Sequence, residues 1–186
     1  MNKILGIMFA LVCYSQVAVA DGLTSGSVQG WLDSQSAVES FGKQYEGKLK
    51  PFDADIENQG TPMEAFQQGI VALKGTGLYG QFENIIDDYG FDSPEQWAEV
   101  GGRIMSAYLA IEMGDRGPEM EQMMQQMETM MNNPNIPAEQ KQMMQNSMKQ
   151  SAAVFESAKN APEGDKRVVK SFLPQLKAMT GSEMQP

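Results

Sequence analysis

Methionine is the residue type in this sequence whose chemistry and spacing are most distinctive. Nine methionines fall between residues 120 and 148: Met120, Met123, Met124, Met127, Met130, Met131, Met143, Met144 and Met148. The first six recur at helical spacing, so that their thioethers share one face within an arc of about 120°. Glutamine and glutamate occupy most of the remaining positions. The pattern predicts an amphipathic helix whose apolar face is formed by methionine alone.

Three interpretations of this face remain open. In the first, the face is the core of a helical hairpin formed by residues 118–160, because methionine stripes commonly pack inside proteins. In the second, it is an adaptable surface for a protein or peptide partner, because unbranched, polarizable side chains repack around differently shaped apolar groups. In the third, it is a Cu(I) site with Met120, Met123, Met124 and Met127 as ligands, because thioethers select soft metals. We predict a non-catalytic binding or chaperone-like protein, with Cu(I) binding as the alternative.

Other catalytic and metal chemistry is sparse. The chain has no histidine, and its single cysteine, Cys13, lies within a predicted leader peptide. Without thiols and imidazoles the mature chain has no disulfide, no Cys/His zinc site and no Ser-His-Asp triad. We therefore predict that the protein is not an enzyme and carries no cofactor.

The acidic residues suggest two further sites. Four of them have the spacing of positions 1, 3, 5 and 12 of a calcium loop: Asp53, Asp55, Glu57 and Glu64. Asn58 stands where such a loop needs glycine, so a solvated acidic loop over residues 47–60 is favoured. Glu95 and Glu99 could in principle serve as an acid and a base, but on a helix they are one turn apart on the side away from Trp97. An exposed ion pair between Glu99 and Arg103 is the simpler interpretation.

The first twenty residues have the layout of a secretory signal peptide. Lys3 supplies the positive start, and residues 4–14 form an apolar run too short to span a bilayer. Small residues at Ala18 and Ala20 predict cleavage between Ala20 and Asp21. We expect export to the periplasm and no membrane attachment after cleavage, with residues 21–186 forming the mature protein.

The charge of the mature chain limits its partners. Lys3 leaves with the leader, so 13 of the 14 basic residues remain against 24 acidic ones, a net charge of −11. Nucleic acids require basic surfaces, so this balance argues against nucleic-acid binding.

Helix signals recur along the mature chain, and no segment shows the alternation of a half-buried strand. Thr61 and Ser93 each precede a proline and have Glu or Gln three residues on, which is typical of a capped helix start. Gly101 lies on an apolar helix face, where it allows a neighbouring helix to approach closely. The predicted helices span residues 27–45, 61–75, 78–89, 93–114, 118–131, 138–160 and 165–179, the last interrupted by Pro174. We predict an all-α fold of about six to seven helices in one orthogonal or bundle-like domain, preceded by a signal-peptide helix.

One stretch resembles an uncharacterised family of small all-helical proteins exported by Gram-negative bacteria. It runs Gly90, Phe91, Asp92, Ser93, Pro94, Glu95, Gln96, Trp97 and Ala98, followed by Val100, Gly101, Arg103 and Ile104. Val28, Trp31 and Leu32 are similar to the start of the same pattern. The resemblance covers most of residues 27–180 and implies a helical exported protein, with no known activity.

A second, shorter resemblance concerns the start of the helix at residue 138. Its residues are Ile136, Pro137, Ala138, Glu139 and Gln140. They are similar to the Leu-Thr-x-x-Gln helix starts of periplasmic Spy-like stress chaperones, with Pro137 in place of the threonine. The resemblance implies a chaperone function.

Overall fold

The computed structural model describes residues 22–52, 60–131 and 137–181, and in residues 115–150 it describes the backbone but not every side chain. The described residues are all-α, as predicted. Their eight α-helices are α1 (Ser25–Gln44), α2 (Glu46–Leu49), α3 (Pro62–Thr76), α4 (Tyr79–Asp87), α5 (Pro94–Met131), α6 (Ala138–Lys159), α7 (Glu163–Val169) and α8 (Leu173–Thr180). Two 3-10 turns, Lys50–Phe52 and Lys170–Phe172, extend α2 and join α7 to α8. The predicted leader, residues 1–20, lies outside the described residues.

Helix starts follow the capping residues. Thr24 caps α1 through a reciprocal pair of hydrogen bonds with Ser27, so α1 begins two residues before the predicted start. Thr61 Oγ1 accepts a hydrogen bond from the backbone N–H of Glu64, as predicted for α3. The helix ends at Gly77, whose φ of 73° is left-handed, and not at Gly75. Satisfying the free backbone groups at helix ends in this way stabilises short helices.

Two larger features were also predicted wrongly. The segment from Gly47 to Phe52 is helical, not part of an acidic loop; residues 53–59, with three of the proposed calcium ligands, lie outside the described residues. The helix does not stop at Gly114 as predicted. Instead α5 continues through Gly114 and Pro118 to Met131 and has a total length of 38 residues. An interior proline removes one backbone hydrogen bond. Packing of α6 against α5 offsets this loss, and it is a long-range contact that local sequence signals do not contain.

The core is an aromatic cluster between α1, α3, α4 and α5. The Trp97 ring stands 5.9 Å from that of Trp31, 5.5 Å from Phe66 and 5.2 Å from Phe82, centroid to centroid. Its Nε1 donates to Ser34 Oγ at 2.8 Å, and Ser34 is fully buried. Edge-to-face and offset ring pairs of this kind stabilise beyond the area that they bury.

Gly101 provides the close approach predicted from the sequence. A Cβ at this position would lie 2.5 Å from Trp31 Nε1 and 2.9 Å from Phe66 Cζ. Real side chains do not reach such distances, so only glycine lets α1 and α3 pack this tightly on α5. Trp31 Nε1 is buried here and has no hydrogen-bond partner among the described residues.

Helix α7 is hydrogen-bonded to the start of the described chain and to α5. Pro174 divides the last predicted helix into α7 and α8, as expected. Asp165 on α7 is 1% exposed, and its carboxylate accepts a hydrogen bond from Nε of Arg103 on α5 at 2.8 Å. It also accepts the backbone N–H of Leu23 at 2.9 Å. This buried ion pair joins the start of the described chain to α5 and α7.

Candidate functional site

The predicted methionine residues lie on two antiparallel helices. The first six are on the C-terminal half of α5, and the other three are on α6, which runs back along α5 until Ser157 Oγ meets Ser106 Oγ at 3.0 Å. Met130 is 52% exposed, whereas Met144 and Met148 are half-buried. The side chains of the other six, which include all four proposed Cu(I) ligands, lie outside the described residues. The methionine surface and the Cu(I) site therefore stay predictions.

A different site emerges on the opposite half of the molecule. An apolar groove with a volume of about 440 Å³ opens between α1, α2 and α3, with α4 and α5 below. We call it the apolar groove; its lining residues are Val38, Phe41, Gly42, Leu49, Ala65, Phe66, Gly69, Ile70, Ala72, Leu73, Phe82 and Trp97. Its volume falls in the range of roughly 300–1,000 Å³ that is usual for ligand pockets.

The lining has almost no hydrogen-bonding capacity. Eleven of its twelve residues have hydrocarbon side chains or are glycine. The remaining one, Trp97, already donates its indole N–H to Ser34. A polar group moved from water into such a surface would lose hydrogen bonds without replacement. The surface of the apolar groove is therefore complementary to hydrocarbon rather than to polar groups.

Glycines keep the apolar groove open. A Cβ built on Gly42 of α1 or on Gly69 of α3 would meet no atom of the described residues within 4 Å. Side chains at these two positions would extend into free space, unlike at Gly101. Ala65 and Ala72 add little volume to the same wall. The groove exists because small residues occupy helix positions where leucine would otherwise fill the space.

The sequence itself contains part of the evidence for the apolar groove. Phe66, Ile70 and Leu73 have the spacing of an apolar stripe on one face of α3. Gly69 lies within the same stripe, and a helical glycine between large apolar residues indicates either a close contact or a gap. At Gly101 it is a contact and at Gly69 a gap. Only the positions of the neighbouring helices distinguish the two.

A polar cluster joins α3, α4 and α5 on the surface beside this region. Lys74 Nζ lies 2.7 Å from Glu95 Oε1, and the Tyr79 hydroxyl donates to Glu95 Oε2. Burial raises the pKa of Glu95, but the hydrogen bonds from Lys74 and Tyr79 outweigh it and hold that pKa below its usual value near 4.5. Glu95 thus helps to join three helices and is not free to act as an acid or base. The stabilising interaction is present above pH 4.5 and is lost as the pH falls through the lowered pKa.

We expect Tyr79 to titrate abnormally. Its hydrogen bond to the Glu95 carboxylate raises its pKa to about 12, because a phenolate would face a negative charge. Tyr79 should remain mainly protonated at pH 11, where an ordinary tyrosine with a pKa of about 10 is largely ionised. Glu95→Gln should lower the Tyr79 pKa towards that ordinary value. NMR of ¹³C-labelled tyrosine, assigned with Tyr79→Phe, measures both; an unchanged pKa in Glu95→Gln would contradict the assignment.

Arg103 forms its ion pair with a different residue from the one that the sequence predicted. The sequence suggested Glu99, one turn away, as its partner, whereas the structure pairs it with Asp165 of α7. The local pair was favoured because it is near in sequence, while Asp165 comes within reach only through the fold.

Among the described residues, no three His, Cys, Asp or Glu side chains cluster as a metal site. None of the described helices is long and apolar enough to cross a bilayer.

No protein-family model, curated protein or solved structure matches this chain. Function is therefore inferred from the residues and their geometry alone.

Proposed function

We propose that the chain is a non-catalytic, chaperone-like binding protein of the periplasm, which holds an apolar helical segment of a partner protein or peptide. The observation that supports this proposal is the apolar groove, whose walls offer hydrocarbon and no free hydrogen-bonding group. Each large apolar side chain moved from water into such a site gains about 1.5–3 kcal/mol. A few such side chains give useful affinity without strict sequence selection.

The open walls favour a helix as the occupant. Within the described part of the chain, nothing lies within 4 Å of a Cβ built on Gly42 or Gly69, so a second backbone can approach closely. An amphipathic helix would insert leucine-like residues at positions i, i+4 and i+7 and keep its polar face in solvent. Its backbone hydrogen bonds are satisfied internally, so nothing polar has to enter the groove.

Charge favours a basic partner. The described residues up to Asp92, which form α1 to α4, carry eight acidic and four basic side chains, and the mature chain as a whole has a net charge of −11. A helix with lysine or arginine on its solvent face is attracted to such a surface before it docks. We therefore propose cationic amphipathic helices as the ligand class, with affinity that decreases as salt is added.

The methionine-bearing half of α5 and α6 is a second contact surface in this proposal. Met130 is exposed there. Flexible thioether side chains suit clients of varied shape. Replacing the six methionines from Met120 to Met131 by leucine, which nearly conserves volume, should leave binding in the apolar groove unchanged.

Leucine substitutions at the two groove glycines test the proposal. Gly42→Leu and Gly69→Leu should fill the apolar groove and weaken binding of a lysine- and leucine-based helical peptide by roughly tenfold or more, as expected when apolar anchors lose their pocket. Folding should not suffer, because each new side chain enters free space and leucine is the better helix former. Calorimetric titration of the purified mature chain measures the affinity.

Gly80→Leu is the matched control. Gly80 is a helical glycine of α4 that also has no atom near its Cβ position, but it is exposed and away from the apolar groove. It should bind the peptide like the wild type. A scrambled peptide of equal composition should bind none of the proteins. Equal affinity of all three variants for the helical peptide would contradict the proposal.

A further inference from the structure

A short segment of the described chain crosses from α1 to α3 beside the apolar groove. It consists of α2 and the 3-10 turn that follows it, residues 46–52, and we call it the strap. The Leu49 side chain lines the apolar groove together with residues of α1 and α3. The Phe52 ring packs on α3 at Gly75, where a Cβ would lie only 3.2 Å from Phe52 Cζ. The strap therefore connects the two helices that form the walls of the groove.

The strap is held to the rest of the described protein by few contacts. Leu49 and Phe52 are half-buried, and every other residue of the strap is exposed. At Tyr45, between α1 and α2, the backbone leaves the helical conformation with φ −112° and ψ 16°, and no described side chain caps α2. Segments with few buried apolar contacts open at a small cost in free energy. Tyr45 is thus suited to act as a hinge, and two apolar side chains hold the strap closed.

We infer that the strap is an autoinhibitory element: with Leu49 inside the apolar groove it excludes the partner helix, and binding requires the strap to swing out about Tyr45. This inference rests on the proposed function and specifies how that site is regulated. A helix with its side chains is about 10–12 Å across, so it needs the space between α1 and α3 that the strap spans. Leu49 meanwhile occupies the position of one apolar anchor of the partner.

The closed strap lowers the apparent affinity of the apolar groove. If only the open form binds, the dissociation constant rises in inverse proportion to the fraction of molecules that are open. A half-buried apolar side chain of this size favours the closed form by roughly three- to tenfold. With two such anchors the open form is a minor population, and removing either anchor should enlarge it by the same factor.

Two alanine substitutions test the inference in calorimetric titrations of the mature chain with the lysine- and leucine-based helical peptide. Phe52→Ala and Leu49→Ala should each bind the peptide roughly three- to tenfold more tightly than the wild type, because the open form is more populated. Both side chains lie at the surface and are only half-buried, so the protein should stay folded. Val71→Ala is the matched control, since Val71 of α3 is 54% exposed and outside the groove lining. It should bind like the wild type.

A thiol on the strap distinguishes an autoinhibitory strap from a fixed wall of the groove. The only cysteine of the sequence is Cys13, so the mature chain of the Leu49→Cys variant carries a single thiol. The rate at which an aromatic disulfide reagent modifies this thiol reports how often the strap is open. Saturating peptide should accelerate the modification severalfold, because binding holds the strap out of the groove. Beside a fixed wall, the bound peptide would protect the thiol.

The two measurements separate failure of the strap from failure of the site. A modification rate that peptide leaves unchanged or slows would overturn the inference and leave the groove proposal standing. Affinities of Phe52→Ala and Leu49→Ala that equal that of the wild type, or fall below it, would do the same. If neither the wild type nor these variants bind the peptide, the proposed function fails, and autoinhibition fails with it.

Discussion

Asp165→Ala is expected to lower the free energy of unfolding by about 3–5 kcal/mol. Asp165 is 1% exposed and binds both Arg103 and the backbone of Leu23. Alanine would leave the Arg103 guanidinium, whose side chain is only 18% exposed, without this carboxylate in a largely dry site. Breaking one partner of a buried pair costs more than the pair contributes, because the other charge stays behind. Urea denaturation of the mature chain, followed by tryptophan fluorescence, measures the loss.

Two controls separate charge from packing. The double variant Asp165→Leu with Arg103→Leu replaces the pair by hydrocarbon and should recover much of the loss, because no charge stays buried. Glu39→Ala removes an exposed pair with Lys43 and should leave the unfolding midpoint unchanged. An Asp165→Ala loss as small as that of Glu39→Ala would contradict the structural role of the pair.

Trp97→Ala is expected to cost about 3–5 kcal/mol, which is usual for removing a large aromatic side chain from a core. The Trp97 ring contacts three other aromatic rings, and its N–H donates to Ser34. Alanine would leave a cavity that neighbouring helices cannot close, because Gly101 already brings them to contact distance. Urea denaturation measures the loss, with Trp31 as the remaining reporter.

Trp97→Phe distinguishes the hydrogen bond from the ring. It keeps most of the aromatic packing and removes only the bond to Ser34 Oγ, which still donates to the Trp31 carbonyl at 2.7 Å. Its cost should be clearly smaller than that of alanine, about 1–3 kcal/mol. If phenylalanine and alanine destabilised the protein equally, the packing role of the ring would be refuted.

The sequence predicted the fold class and most helices because these depend on local chemistry. Thr61 and Ser93 accept the backbone N–H groups three residues on, and Gly90 takes a positive φ after α4. Each of these effects arises within one turn of the chain. Pro174 likewise interrupts its helix through its own missing N–H.

Errors arose where distant contacts decide the outcome. Gly114 and Pro118 are local stop signals, yet α5 continues because α6 lies along it. Arg103 had a suitable partner one turn away, but the fold brings Asp165 to it from 62 residues further along the chain. Neither outcome follows from spacing or propensity.

The candidate site was only partly predictable. Most residues lining the apolar groove lie on helices that the sequence predicted, but Leu49 lies in the segment that was predicted to be an acidic loop. That a gap remains among them depends on where Leu49 and Phe82 stand relative to Gly69, which is set by the packing of the five helices that line the groove. The methionines attracted attention because their composition is unusual, whereas the apolar groove is made of ordinary residues.

Methyl NMR of the mature chain titrated with the cationic helical peptide tests the central claim most directly. We predict that the shifts concentrate on methyl groups lining the apolar groove, namely those of Val38, Leu49, Ile70 and Leu73. The methyls of Ile104 and Val169, fully buried elsewhere, should not move. Shifts confined to Met130, Met144 and Met148, or no shifts at peptide concentrations that saturate calorimetric binding, would contradict the assignment of the groove as the binding site.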